Sequence, residues 1–222
     1  METFIRFMAP VNGTSATTLM KCIDEALSKN VDHIHLMLSS PGGSVFHGLS
    51  IHNFLKGSPV DVTTYNFGTV DSIATVIFCA GSTRRCVPHA RFLIHGVSLT
   101  FEGTTRMDEI GLEEHLKLIK IDYENIARVI ADTTGKSTEN IVKAMNDRTT
   151  LSPMQAKDYG LVHEISSDLF PKNSELMVIM EDNTARQVTP GCYQLPLITQ
   201  HQSSQLPKIE SNSTALSTGS YW

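Results

Sequence analysis

Three short stretches of this chain hold residues whose types and placing can do chemistry. The first is Gly42-Gly43, directly after an apolar, strand-like run. Paired glycines permit φ > 0 and let another backbone come close, and exposed N–H groups in such a turn stabilise a developing oxyanion. Alone, Pro41-Gly42-Gly43 is an ordinary tight turn. The second is Gly68-Thr69-Val70-Asp71-Ser72-Ile73-Ala74, where a strand pattern becomes a helix pattern at the serine. A hydroxyl there sits near helix N–H groups that favour negative charge. No glycine stands two residues to either side, which separates it from the Gly-x-Ser-x-Gly elbow; as a local pattern it is also a simple cap. The third is His95, closing the apolar run Phe92-Leu93-Ile94 and followed by glycine. Such an imidazole can enter a cleft and serve as a base near neutral pH, or be a satisfied structural histidine.

The remaining histidines make weaker cases. His33 and His35 share one face of a strand, and His47, His52 and His115 fall on helix surfaces. No pair has ligand spacing with a supporting carboxylate, so no metal is expected. Cys22, Cys79, Cys86 and Cys192 show no CxxC spacing, and their setting points to a reducing, cytoplasmic compartment. The formal charge of −5 over 222 residues, with no basic stripe, argues against nucleic-acid binding. No apolar run approaches the roughly 20 residues of a membrane span, and no leader pattern opens the chain.

Behind these residues lie elements that must position them. Thr3–Met8 reads as a strand and Ser15–Lys29 as a helix capped by Thr14 or Ser15. Asp32–Leu38 alternates as a strand, and a helix follows from Ser44 to about Leu55. Val60–Tyr65 is a third strand, with a glycine turn at Gly68 before a helix over Ser72–Ala80. Arg84–Val87 and Phe92–His95 are further strands, and Val97–Glu102 alternates as an arm. Met107–Asp132 is the longest helix, and two more begin at Ser137 and at the capping box Ser152-Pro153-Met154-Gln155. Leu161–Ile165 returns as a strand. Strands alternating with helices predict an α/β domain with parallel pairing. Composition changes near Ser166: 1–166 reads as the domain, and 167–222 as an extension with one strand at Leu176–Met180 and then a flexible tail.

Taken in order, these motifs resemble the ClpP family of serine peptidases. Ser40-Pro41-Gly42-Gly43-Ser44 is similar to its glycine turn, Gly68 through Ala74 to its nucleophile segment, and Arg91-Phe92-Leu93-Ile94-His95 to its histidine strand. Ala156-Lys157-Asp158-Tyr159-Gly160-Leu161-Val162 is similar to the helix end and strand that close its core. The resemblance covers about Ile34 to Ile165. It implies a crotonase-like fold of stacked ββα units with a long handle helix, and peptide-bond hydrolysis through an acyl-enzyme without a cofactor. Ser72 would be the nucleophile, His95 the base, and the N–H groups of Gly43 and Ile73 the oxyanion donors. An extended polypeptide would lie between the segment Gly42, Ser44, Val45 and the arm at Val97 and Ser98.

Three departures from the family pattern matter. Its acid stands four residues before the serine that caps the last core helix, which here is Arg148; Asp147 is one further back. Either a one-residue bulge at Thr149-Thr150 makes Asp147 the acid, or the site is a Ser–His dyad. Asp71 directly precedes the nucleophile, where the family has a small residue. The chain also begins at the family's first core strand, which puts docking of a Clp-type unfoldase ATPase in doubt. The long helix predicts self-association into rings. The rival expectations are an inactive ClpP-shaped subunit of a mixed ring and a phage-type maturation protease.

Overall fold

The computed structural model describes residues 1–99, 106–172, 174–179 and 185–188. In order these are β1 (Glu2–Met8), α1 (Gly13–Ser28), β2 (His33–Ser40), α2 (Val45–Gly57), β3 (Asp61–Asp71) and α3 (Ile73–Phe78). There follow β4 (Thr83–Cys86), β5 (Arg91–Ile94), α4 (Glu109–Thr134), α5 (Thr138–Asn146), β6 (Thr149–Leu151) and α6 (Pro153–Asp158). The last strands are β7 (Glu164–Ile165), β8 (Leu176–Ile179) and β9 (Ala185–Val188).

The strands form one nine-stranded sheet with the path β6-β5-β3-β2-β1-β8-β9, to which β4 and β7 attach beside β3. Pairing is parallel except for β5–β6 and β8–β9. Alternation decides the two faces. Ile5 and Phe7 of β1 and Ile34, Leu36 and Leu38 of β2 are fully buried in the main core with α1, α2 and α3. Phe4, Met37 and Tyr65 point the other way, into a smaller cluster with Leu176 and Val178.

Four expectations are corrected. The cap of α1 is Asn12, whose side chain accepts from the N–H groups of Thr14 and Ser15 while Ser15 Oγ accepts from the Asn12 N–H. The chain does not turn back at Gly68: β3 runs on to Asp71, paired with β5 from Thr69, and the Asn66 Oδ1 accepts the Gly68 N–H at 3.0 Å in a local Asx turn where the strand changes neighbours. The domain does not close at residue 166. Leu176, Val178 and Ile179 are buried as β8 beside β1, and the compact unit extends over Met1–Cys192. Val97, Ser98 and Leu99 form no strand, and the rest of the expected arm, like the expected tail, lies outside the described residues.

At Gly68 β3 changes neighbours. Thr63–Asn66 pair with β4, whereas Thr69–Asp71 pair with β5. A Cβ at Gly68 would stand 2.7 Å from Ser39 Oγ, so any larger residue at the crossing would have to displace the Ser39 side chain. Gly48 is similarly fitted: a Cβ there would come within 2.2 Å of Ile73 Cγ1, so its absence seats α2 directly on the first residue of α3.

Buried Arg84 ties the distal layer together. It donates to the carbonyls of Leu161 (2.8 Å), Gly81 (3.0 Å), Thr133 (3.3 Å) and Gly160 (3.4 Å), and to His163 Nε2 (2.8 Å). One planar fork thus joins the ends of α3, α4 and α6, geometry that an ammonium cannot copy. Arg84→Met should lower unfolding stability in urea by about 3 kcal/mol, with Arg84→Lys recovering little of it.

Burial also lowers the pKa of His52, whose Nδ1–H donates to the Val76 carbonyl at 2.8 Å, and burial together with Arg84 lowers that of His163. Their folded pKa values lie below the ordinary 6.5, so the unfolded chain binds more protons in that range. Stability from these groups is complete above about 6.5 and is lost as pH falls toward their folded values. Urea midpoints measured across this range should fall with acidification, and His52→Gln should flatten the slope.

Candidate active site

Ser72 occupies the junction of β3 and α3 with φ of 59° and ψ of −130°. A positive φ on a non-glycine residue costs on the order of 1–3 kcal/mol and persists only where the surroundings over-determine it. Here the Ser72 N–H donates to the Leu93 carbonyl at 2.8 Å, on the strand beside it. Although Ser72 stands at the N-cap position, its hydroxyl makes no capping bond. The conformation therefore turns the hydroxyl out of the helix, and no glycine in the local sequence announces it.

The glycine turn packs against this junction. A Cβ on Gly42, whose φ is +89°, would lie 2.7 Å from Ser72 Cβ and from the Asp71 carbonyl, and 3.3 Å from Ile73 N. Gly43 is held from behind. Val11 donates to the Gly42 carbonyl and accepts from the Ser44 N–H, both at 2.8 Å, and a Cβ on Gly43 would sit 2.3 Å from the Val11 oxygen. Among the described residues, the N–H groups of Gly43 and Ile73 have no acceptor in the protein. Ser44 caps α2 by accepting from the His47 N–H, and Val45 opens that helix, so both follow the turn directly.

His95 comes from the adjacent strand. Asp71 pairs with Leu93, so Ser72 lies one residue beyond the last pair and His95 two beyond it. Parallel pairing thus brings both to the same ends of neighbouring strands. His95 Nδ1–H donates to the Gly96 carbonyl at 2.7 Å, which leaves Nε2 with its lone pair. The Ser72 hydroxyl has no hydrogen-bond partner among the described residues, so the serine–imidazole bond is open in this structure. Gly96 rests on Tyr123, whose hydroxyl donates to Asn146 Oδ1 at 2.7 Å; α4 and α5 thereby back the histidine segment. Val97 is half-buried and Ser98 exposed just beyond.

The two carboxylates are placed differently from the sequence expectation. Asp147 ends α5, is exposed, and accepts from Lys143 one turn earlier rather than from His95. There is no bulge at Thr149-Thr150: β6 pairs with β5 in continuous register, Ile94 opposite Thr149, and the additional residue is taken up at Arg148, with φ of +51°. Asp71, singled out only as a departure, is a buried carboxylate on the strand beside His95, and it is paired with Arg91. It is 6% exposed, its Oδ2 accepts from Arg91 at 2.8 Å, and its Oδ1 is buried without a partner. Burial pushes its pKa up, against the opposing pull of Arg91 and of His95. Its position before the serine and the alternation of Arg91, Leu93 and His95 could have signalled this.

A free hydroxyl on a strained corner, a base one strand away and unbonded N–H groups beside them are the parts of nucleophilic acyl transfer. The comparisons agree in kind. A model of the Clp protease family matches residues 1–168. ATP-dependent Clp protease proteolytic subunit 2 of Corynebacterium diphtheriae is 34% identical over 134 residues, 60% of this chain and 65% of that protein. The chain thus spans about two thirds of the length of that relative. ATP-dependent Clp protease proteolytic subunit 3 of Rhizobium etli is 32% identical over 158 residues, 70% of this chain and 79% of its own. A solved structure of a ClpP1 point mutant from Listeria monocytogenes aligns with a TM-score of 0.66 and 30% identity, over 74% of this chain and 91% of that one. This chain belongs to the Clp protease family.

Proposed function

We propose that the chain is a serine endopeptidase of the Clp type, cutting peptide bonds in polypeptides with Ser72 as nucleophile and His95 as general base. The observation that carries this reading is the strained corner at Ser72, pressed against the Gly42-Gly43 turn, with two N–H groups that have no acceptor among the described residues. In the reaction, Ser72 Oγ attacks the substrate carbonyl and its proton passes to His95 Nε2. The oxyanion is held by the Gly43 and Ile73 N–H groups, each donor typically contributing about 3 kcal/mol. The imidazolium then protonates the leaving amine, and water, deprotonated by His95, releases the acyl group.

The Nδ1–H bond to Gly96 selects the tautomer that a general base requires. A carbonyl orients the ring but carries no full charge, so stabilising the imidazolium falls to Asp71 through space. Asp147 could take the family's acid position only by releasing Lys143. Substrate binds as an added strand beside Gly42, Ser44 and Val45, with Val97 and Ser98 on the other side. The open serine–imidazole bond favours a second reading, a ClpP-shaped subunit without activity of its own. Apo hydrogen bonds of this sort commonly tighten only with substrate.

Self-association follows from α4. Ile110, Leu112, Leu116, Leu118 and Ile121 are all more than half exposed, while Ile126 and Ile130 of the same helix are buried. Such an apolar face is suited to a second copy of the chain. The thiols of Cys22, Cys79 and Cys86 are buried, unpaired and pushed up to about 11 by burial, in keeping with a cytoplasmic setting. No described helix is long and apolar enough to cross a membrane. The relatives' names invoke ATP, but cleavage of short peptides needs no unfoldase and is the activity to assay.

A fluorophosphonate probe should label the intact protein at Ser72, as mapped by peptide mass spectrometry, and Ser72→Ala should abolish labelling. Loss of the base in His95→Ala should slow it about 10³-fold or more. Asp71→Asn should slow it about 10-fold while Asp147→Asn changes it less than about 2-fold; the opposite order would restore Asp147 as the acid. No labelling of folded wild-type protein would establish the scaffold reading. Light scattering should report an oligomer that Leu116→Glu dissociates, and a wild-type monomer at micromolar concentration would end the ring proposal.

A further inference from the structure

Strand order sets out a row of residues along the edge of the sheet that carries Ser72. The path β6-β5-β3-β2 places the Gly42-Gly43 turn after β2, Ser72 after β3 and His95 after β5. β6 runs antiparallel to β5, so its beginning lies at the same edge. Ile94 pairs with Thr149, and His95 and Arg148 are each the next residue beyond that pair. Neighbouring strands lie about 4.8 Å apart, so Arg148 stands one strand beyond the base and two beyond the nucleophile. The family pattern puts its acid at this position, and here a cation holds it.

Charge and backbone both mark Arg148. Asp71 and Asp147, the carboxylates that precede Ser72 and Arg148 in the chain, are already answered by Arg91 and Lys143. Arg148 is exposed; its backbone N–H donates to the Met145 carbonyl at 3.3 Å, while its guanidinium has no hydrogen bond or ion pair among the described residues. Among those residues only Asn30, Ser72 and Arg148 carry a positive φ without being glycine. Ser72 and Arg148 stand at the ends of the two strands that flank β5, and strain of this kind concentrates at sites of function. Glycine suits the φ of +51° better than arginine does, so the turn itself does not call for the guanidinium.

We propose that Arg148 is a specificity residue that receives a carboxylate of the substrate on the leaving-group side of the scissile bond, either an acidic side chain or the terminal carboxylate of a short peptide. This rests on the reading of Ser72 and His95 as the reacting pair. His95 delivers its proton to the leaving nitrogen, so the departing segment passes beside the imidazole and meets the residue next in the row. A guanidinium there offers a planar fork that matches a carboxylate in two parallel hydrogen bonds.

The test uses the full chain and two series of internally quenched peptides cleaved at one fixed bond. The first series carries Glu, Gln or Lys at the first or second position after that bond; the second ends two residues after it, as free acid or as amide. The wild type should cleave a carboxylate-bearing peptide with kcat/KM about 10-fold above its neutral counterpart. Arg148→Gln and Arg148→Gly should remove that difference and Arg148→Lys should keep part of it, while Arg148→Gly leaves the urea midpoint unchanged or higher. A preference for Glu assigns a side chain as the ligand, and a preference for the free acid assigns the terminus. Binding of the same peptides to Ser72→Ala, followed by fluorescence anisotropy, reads recognition apart from catalysis. Carboxylate-dependent binding that is lost on adding Arg148→Gln upholds the proposal even where the wild type cleaves nothing. No carboxylate preference in either assay, or one that survives Arg148→Gln, would overturn it, whatever fluorophosphonate labelling of Ser72 shows.

Discussion

Everything at the Ser72 centre depends on one backbone contact, the bond from the Ser72 N–H to the Leu93 carbonyl. It continues the β3–β5 ladder one step past Asp71 and thereby sets the spacing between the serine and the histidine strand. That ladder exists only because β3 leaves β4 after Asn66 and reaches β5 by Thr69. Asn66 guides the exchange with its side chain, accepting from Gly68 N–H on its own strand and donating to the Arg91 carbonyl across the gap. Were β3 to stay with β4, Ser72 and His95 would have no common strand end.

The corner at Ser72 is expensive in backbone energy, and its neighbours show where the compensation comes from. Gly42 abuts it, Gly43 is clamped by Val11, and Ile73 carries α2 through the space left by Gly48. Each contact is backbone or core packing, which leaves the polar groups nearby free of structural duty. Among the described residues, the Gly43 and Ile73 N–H groups and the Ser72 hydroxyl carry no structural hydrogen bond. The electrostatics follow the same plan: Asp71 is buried, which raises its pKa, and its carboxylate is answered by Arg91.

The sheet also separates two groups of polar side chains. Parallel strands put Ser72 and His95 at their C-terminal ends, over the side where helices begin. Glu2, His33 and His35 occupy the N-terminal ends, on the face opposite α1 and α2. Side-chain alternation along β2 produces this division, sending Ile34, Leu36 and Leu38 into the core and the histidines out of it.

Local order was written plainly in the residues. Alternation along β2, the capping box at Ser152 and Gln155, and the serine cap at Ser137 depend on near neighbours, and each was found where expected. The motif order also marked Ser72, His95 and the glycine turn as the residues of interest. What the chain did not disclose was any feature whose cause lies far away along it. The path of β3 through Gly68 depends on Ser39; the position of Asp147 depends on a left-handed Arg148 and a lysine one turn back; Glu2 meets the histidines only through β1–β2 pairing. Sequence by itself determined which elements form and which side chains are reactive, because those follow from local periodicity and caps. Only tertiary structure decided that Asp147 is held by Lys143 and that Glu2 stands beside His33, because distances between side chains are not contained in spacing along the chain.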